Sequence, residues 1–281
     1  MRYIDTDRHA VGFLRGLADE DTAGRIRTRI RLSRRERPGA SRARIERIGN
    51  GKPLPASVVL WVLEQDDPEL NALVWRFVGP DPALRRALAR GVPFGPGRTK
   101  PLPVRPVHQE QEPGIPESYV RHGLVGALRE ADSMPSARAA GSMVLTRGDW
   151  ETVGAAHDEL PLPGYTRWVL SVRPDCPPAL RARFGSHPKF THRLRQAGVL
   201  DGPARYATTH APASQVLDML SVGHVLFPAR VREAEDALRP LVRRHLAGRE
   251  EAWAMLAMLA RLIGTFHGTV PELVVTAGTT V

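Results

Sequence analysis

The residues best suited to chemistry are arginines. Between Arg25 and Arg47 the stretch "RIRTRIRLSRRERPGASRARIER" holds ten of them against Glu36 and Glu46. Arg25, Arg27, Arg29, Arg31, Arg34, Arg35, Arg42 and Arg44 could grip phosphates, since clustered guanidinium groups release counterions and give salt-dependent affinity for nucleic acid. A second cluster, Arg181, Arg183, Lys189, Arg193 and Arg195 with His192 among them, has the same potential. The alternative for the first is a solvated face paired with acids elsewhere; the second, with the less basic Arg76, Arg85, Arg86 and Arg90 as its counterpart in the first copy, would form a groove on a concave side and would only solubilise on a convex one. The whole chain carries a formal charge of +10 over 281 residues, with a pI near 10.8. Its only lysines are Lys52, Lys100 and Lys189. Heavy arginine use of that kind also follows from a GC-rich coding sequence, so basicity speaks to solubility and non-specific binding rather than to a site.

Other chemistries find little footing. His187 and His192 stand five apart, whereas a metal-binding pair on a helix favours three or four, and the remaining histidines are scattered. No metal site and no cofactor is expected. The single cysteine, Cys176, allows no internal disulfide and looks like a residue at a helix start. "GNGKPLP" lacks the spacing of a phosphate loop, and no G-x-S-x-G elbow occurs. Asp149 and Trp150 are adjacent, so a helix aims them in different directions; capping by Asp149 and burial of Trp150 account for both. No catalytic constellation emerges. The five tryptophans sit in apolar stripes and read as core.

The elements that would position these groups are helical. Asp67 caps and Pro68 opens a helix with Leu70, Leu73, Val74 and Phe77 on one face. Gly79 ends it, Asp81 and Pro82 start the next with Leu84 and Leu88 inward, and Gly91 stops that one. The nearly all-apolar "SVVLWVLEQ" precedes both as a buried helix. "RIRTRIRL" fits helix or strand; caps at Asp21 and Thr22 and helical surroundings favour helix. Val120, Leu124, Leu128 and Ala131 form a stripe after Pro116, and another helix begins at Asp149. A stripe from Val231 to Val242 is amphipathic, with Pro240 expected to kink or split it. "EEAWAMLAMLARLI" reads as a buried helix, and Thr269 with Glu272 as a capping box.

The chain also repeats itself. "PLPASVVLWVL" at 53–63 returns as "PLPGYTRWVL" at 161–170. The match continues, with Gly79 on Gly185, Pro82 on Pro188, Leu84 on Phe190, Leu88 on Leu194 and Gly91 on Gly198. Each copy is a unit of about 45 residues and three short helices, inside the period of helical arrays. Stacked units bury faces that none could bury alone, so a short α-solenoid is expected. Between the copies, 92–117 contains seven prolines and reads as a long surface loop without regular structure, a partner-binding arm being the alternative.

The "DPELNALVWRFVGPDPALRRAL" grammar resembles HEAT-like repeats and the leucine-rich-repeat variant family. The resemblance covers the two copies and implies an all-α, right-handed solenoid with a Pro-rich insertion. Some proteins with the variant repeat hold a cysteine-bound iron–sulfur cluster, which one cysteine cannot supply. One enzyme class on HEAT-like scaffolds removes alkylated purines from DNA with an acid beside Trp and Arg.

The expectation is a single helical repeat domain over 1–281. Within it, 1–52 forms basic N-terminal helices, 53–91 and 161–202 the repeat units, 92–117 the Pro-rich loop, 118–160 an unmatched helical unit and 203–281 capping helices. Its expected role is a non-enzymatic scaffold for a protein or peptide partner. The competing reading is a nucleic-acid binder, with a HEAT-like DNA glycosylase as its enzymatic form. One shared basic face would favour nucleic acid; arginines interleaved with acids would favour the scaffold. No apolar run is long enough to span a bilayer, the start lacks the apolar run of a secretory leader, and a reducing cytoplasm is the expected setting.

Overall fold

The structure is a computed structural model that describes residues 4–30, 54–77, 82–185, 188–261 and 266–279. All regular structure among them is α-helical. The chain divides into two compact units, one formed by 1–52 with 200–281 and the other by 53–199.

The first unit contains α1 (Ile4–Arg15), α2 (Glu20–Ile30), α13 (Pro203–Thr209), α14 (Ala213–Leu226), α15 (Pro228–Leu246), α16 (Glu250–Arg261) and α17 (Val270–Thr279). α1 packs on α14 and α16, while α15 packs on α13 and α17. The ambiguous arginine stretch is helical through Ile30. Its cap is Asp19 rather than Asp21 or Thr22: the Asp19 carboxylate accepts the Thr22 N–H at 2.8 Å, which holds its pKa below the usual carboxylate range. The stripe of α15 is buried as its periodicity requires, with Val231, Ala234, Leu238 and Val242 fully covered. Pro240 lies inside α15 without splitting it. Its ring sits on the exposed side, where water can satisfy the carbonyl one turn back. Trp253 in α16 is fully buried. The box at α17 forms in both directions, with Thr269 N–H donating to Glu272 at 2.7 Å and Glu272 N–H to Thr269 Oγ1 at 3.4 Å.

The second unit begins with α3 (Ala56–Leu63), α4 (Pro68–Phe77) and α5 (Pro82–Ala89), the first copy of the repeat. It continues through α6 (Pro106–Glu110), α7 (Glu117–Arg129), α8 (Met134–Ala140) and α9 (Arg147–Glu159). It ends in the second copy, α10 (Gly164–Val172), α11 (Pro178–Phe184) and α12 (Pro188–Gln196). Each copy is thus three short helices. The likeness extends to their ends. Both first helices start from a Pro-Leu-Pro whose last proline is extended, φ −55° at Pro55 and −53° at Pro163. Both third helices stop at a left-handed glycine, Gly91 (φ 65°) and Gly198 (φ 74°). In each, the glycine and the residue after it close back on the helix: Val92 N–H reaches Ala87 O at 2.9 Å, and Val199 N–H reaches Leu194 O at 3.0 Å. Gly79, Asp81, Ser186 and His187 lie outside the described residues.

Leu128, Met143 and Trp150 of the intervening segment pack with Leu170, Leu180 and Phe184 of the second copy in one core. Two sequence expectations change here. Gly123 (φ 66°, ψ −173°) breaks the helical path of α7, so Val120 leaves the stripe and is 73% exposed while Leu128 is buried. α9 starts at Arg147, two residues before Asp149. Thr146 is its cap, and Asp149 is the reciprocal partner, accepting Thr146 N–H at 2.8 Å and Thr146 Oγ1–H at 2.7 Å.

Candidate partner-binding surface

The Pro-rich segment is not loose. Its first anchor is Asp66, a buried acid in the turn between α3 and α4. Asp67 beside it does the capping, accepting Glu69 N–H at 2.8 Å. Asp66 is therefore free to reach away, and its carboxylate accepts Phe94 N–H at 2.7 Å and Gly95 N–H at 3.0–3.1 Å, with Arg98 at 3.5 Å. Next, Leu102 N–H donates to Gly91 O at 2.8 Å, capping the end of α5. A β-carbon on Gly91 would stand 2.3 Å from Leu102 O, so only glycine admits this approach. Farther on, Arg105 pairs with Glu69 at 2.9 Å, and the His108 ring stacks on Trp75 at 4.4 Å and 18°. Burial, with the Arg105 charge nearby, pushes the His108 pKa down.

The last anchor is Arg86. Its residue is wholly buried, yet its guanidinium is matched on several sides. Nη2 donates to Pro113 O at 3.0 Å and to Gly114 O at 2.7 Å; Nη1 donates to Ser142 O and, at 3.2 Å, to Ser142 Oγ. Glu112 stands 3.5 Å from Arg86 Nε and accepts a 2.7 Å bond from Arg90. Burial lowers the Arg86 pKa and Glu112 opposes that shift. A planar fork that binds carbonyls this way serves as a staple between segments distant in sequence. Arg173 does the same from the second copy, donating to Gly141 O at 2.6 Å and Met143 O at 2.7 Å. It pairs with Asp175 and lies 5.3 Å over the Trp150 ring.

The segment expected to lack regular structure therefore includes the helical turn α6 and is tied to α3–α5 along its length. Held in this way, it nevertheless presents Val107 (49% exposed), Ile115 (53%) and, just beyond it, Val120 to solvent. A fixed backbone with exposed apolar side chains loses little entropy on meeting a partner.

The predicted arginine sites divide. Arg25 is exposed, with a 3.4 Å bond to Thr22. The side chains of Arg27 and Arg29, and all of Arg31, Arg34, Arg35, Arg42 and Arg44, lie outside the described residues. In the second cluster, Arg181 donates to Ser171 O at 2.9 Å and Arg173 O at 3.1 Å, and Arg183 bonds Gly154 O and Asp158. Those two are occupied by the fold. Lys189, Arg193 and Arg195 are exposed on α12. The two clusters belong to different units.

Sequence reasoning did not single out Asp66, Glu112 or Arg173, and it read Arg86 only as one of a basic group with Arg76, Arg85 and Arg90. The doubled Asp66–Asp67 was the one available signal, since a helix start uses only one of the pair. Four of the five tryptophans, Trp61, Trp75, Trp150 and Trp253, are buried, and Trp168 is half-buried edge-to-face with Phe190 at 5.7 Å. His157 is buried and accepts Leu162 N–H at 3.1 Å. Cys176 lies in the core ahead of α11, and burial pushes its thiol pKa up to about 12. Among the described residues, no three or more His, Cys, Asp or Glu gather as metal ligands, and no helix is long and apolar enough to cross a membrane. No protein-family model, curated protein or solved structure matches the chain.

Proposed function

We propose that the chain is a non-enzymatic helical scaffold that binds a protein or peptide partner, its two copies being units of a short HEAT-like α-solenoid. The observation that carries this reading is the tethered Pro-rich segment: a buried acid, a buried arginine and an aromatic stack fix its backbone, while Val107, Ile115 and Val120 face solvent. The second unit's arginines support it as well. Arg90, Arg105, Arg129 and Arg183 pair with acids, and Arg86, Arg173 and Arg181 cap carbonyls, which leaves less of the charge for phosphates. The repeat assignment rests on the matching helix starts and glycine stops of the two copies.

The test is a photo-crosslinking amino acid at Ile115 in cells that express the chain. A discrete adduct to one polypeptide, lost when Val107→Asp and Val120→Asp are added, is expected. Labelling no stronger than that from a crosslinker at the exposed Glu251 overturns the reading. The second reading, nucleic-acid binding, draws on the exposed Lys189, Arg193 and Arg195 of α12 and on Arg25. It requires binding to a DNA duplex or single-stranded RNA that weakens steeply with salt and collapses when Arg25, Arg27, Arg29 and Arg31 become Ala.

A further inference from the structure

The stretch from Lys100 to Pro106, "KPLPVRP", has the spacing Lys-x-x-Pro-x-x-Pro. Proline rings fix φ at about −65° at 101, 103 and 106, and they keep the preceding Lys100, Leu102 and Arg105 out of the helical region. Only Val104 escapes both constraints. The structure agrees: 101–105 form no helix or turn, and Arg105 has φ −69° and ψ 136°, close to polyproline II. A polyproline II helix is threefold, so its side chains fall on three edges. Lys100, Pro103 and Pro106 share the first, Leu102 and Arg105 the second, Pro101 and Val104 the third.

The attachment to the first copy leaves the first two edges accessible. Leu102 N–H donates to Gly91 O at 2.8 Å, which uses main chain only. Val104 Cγ2 lies 3.0 Å from where a β-carbon on Gly91 would stand, so the third edge meets the end of α5. Lys100, Pro103, Arg105 and Pro106 are exposed, and Leu102 is half-buried. Arg105 pairs with Glu69 at 2.9 Å, but both side chains are mostly exposed, so water screens the pair and it can open.

We propose that 100–106 is the ligand of an SH3-type domain in a partner protein, whose groove is lined by aromatic rings and bears carboxylates at one end. Lys100 meets those carboxylates. Leu102–Pro103 and Arg105–Pro106 enter the aromatic groove, while Val104 on the third edge keeps its place on α5. Because the backbone is constrained by its prolines and tethered beforehand, little entropy is lost on docking. The proposal rests on the scaffold reading and names its partner class.

The experiment titrates the full chain into each of three isotope-labelled SH3 domains that select Arg/Lys-x-x-Pro-x-x-Pro ligands, and follows their amide shifts at low salt. At least one is expected to shift along its aromatic groove and acidic rim. Lys100→Glu and Pro103→Ala/Pro106→Ala should each weaken that binding about tenfold. Pro101→Ala, on the edge that faces away, should leave it unchanged. All these positions are exposed, so circular dichroism should match the wild type in every variant. Equal affinity in Lys100→Glu overturns the proposal, as does a loss in Pro101→Ala as large as that of the double variant. Binding by the free peptide RTKPLPVRPV, which copies 98–107, with silence from the folded chain also overturns it, since the two edges would then be covered. Silence from all three domains beside an intact Ile115 adduct removes this inference and leaves the scaffold reading standing. Groove shifts without the adduct support this ligand and remove only the Ile115 surface.

Discussion

The two copies of the repeat show how one local grammar is put to two uses. Both start from Pro-Leu-Pro, build three short helices and stop at a left-handed glycine. In the first copy the third helix carries alanines at 83, 87 and 89, small enough for another segment to lie close, and an arginine that staples it there. In the second the corresponding places hold the longer, charged Lys189, Arg193 and Arg195, all of them exposed. Side-chain size and charge on a few positions, not helix propensity, separate a covered face from an open one.

The sharpest way to break this comparison is Arg86→Met. It would leave the Pro113, Gly114 and Ser142 carbonyls and Glu112 without their cation, and should cost about 3–5 kcal/mol in chemical denaturation. His192→Met, at the equivalent place on α12, should leave the denaturation midpoint unchanged. Next come the stop glycines. Gly91→Ala and Gly198→Ala each force a left-handed alanine into backbone, 2.3 Å from Leu102 O and 2.7 Å from Pro55 Cα respectively. Each should lose about 2–4 kcal/mol. Similar losses at both would support equivalent closures, whereas a large loss at one alone would separate them. Asp66→Asn has no counterpart in the second copy. It should cost about 1–3 kcal/mol and speed hydrogen exchange at Phe94 and Gly95, whose N–H groups it holds.

The smallest effect concerns pH. Burial lowers the folded-state pKa of His108 below its ordinary 6.5, so folding favours the neutral ring. Its contribution is fully present above 6.5 and is lost as pH falls from there through the folded value, because the unfolded chain takes up the proton first. Hydrogen exchange over 105–110 should accelerate in that window, and His108→Phe should remove the dependence. Trp168 pairs with Phe190, which does not titrate, so the second copy should show no such change at that contact.

Helix ends written in adjacent residues were legible in the sequence: Asp67 before Pro68, Thr269 with Glu272, and the glycines at 91 and 198. The misreadings there were shifts within a turn, as at Asp19 and Thr146, where a neighbouring polar residue competes for the same N–H groups. Val120 was misplaced because a single glycine at 123 resets the helical phase. The candidate surface was largely hidden. Its anchors join residues 27, 28 and 56 positions apart, as from Arg86 to Pro113, Gly114 and Ser142, and no periodicity records such pairings.

What the sequence determined by itself was therefore the helical alphabet and its duplication, because capping, helix-stopping glycines and apolar spacing act within one or two turns. Tertiary structure alone decided which arginines became staples and which stayed in solvent, and that the Pro-rich segment is held rather than free. Those outcomes depend on a buried guanidinium finding several carbonyls and an acid at once, and only the chain's return to the same place brings them within reach.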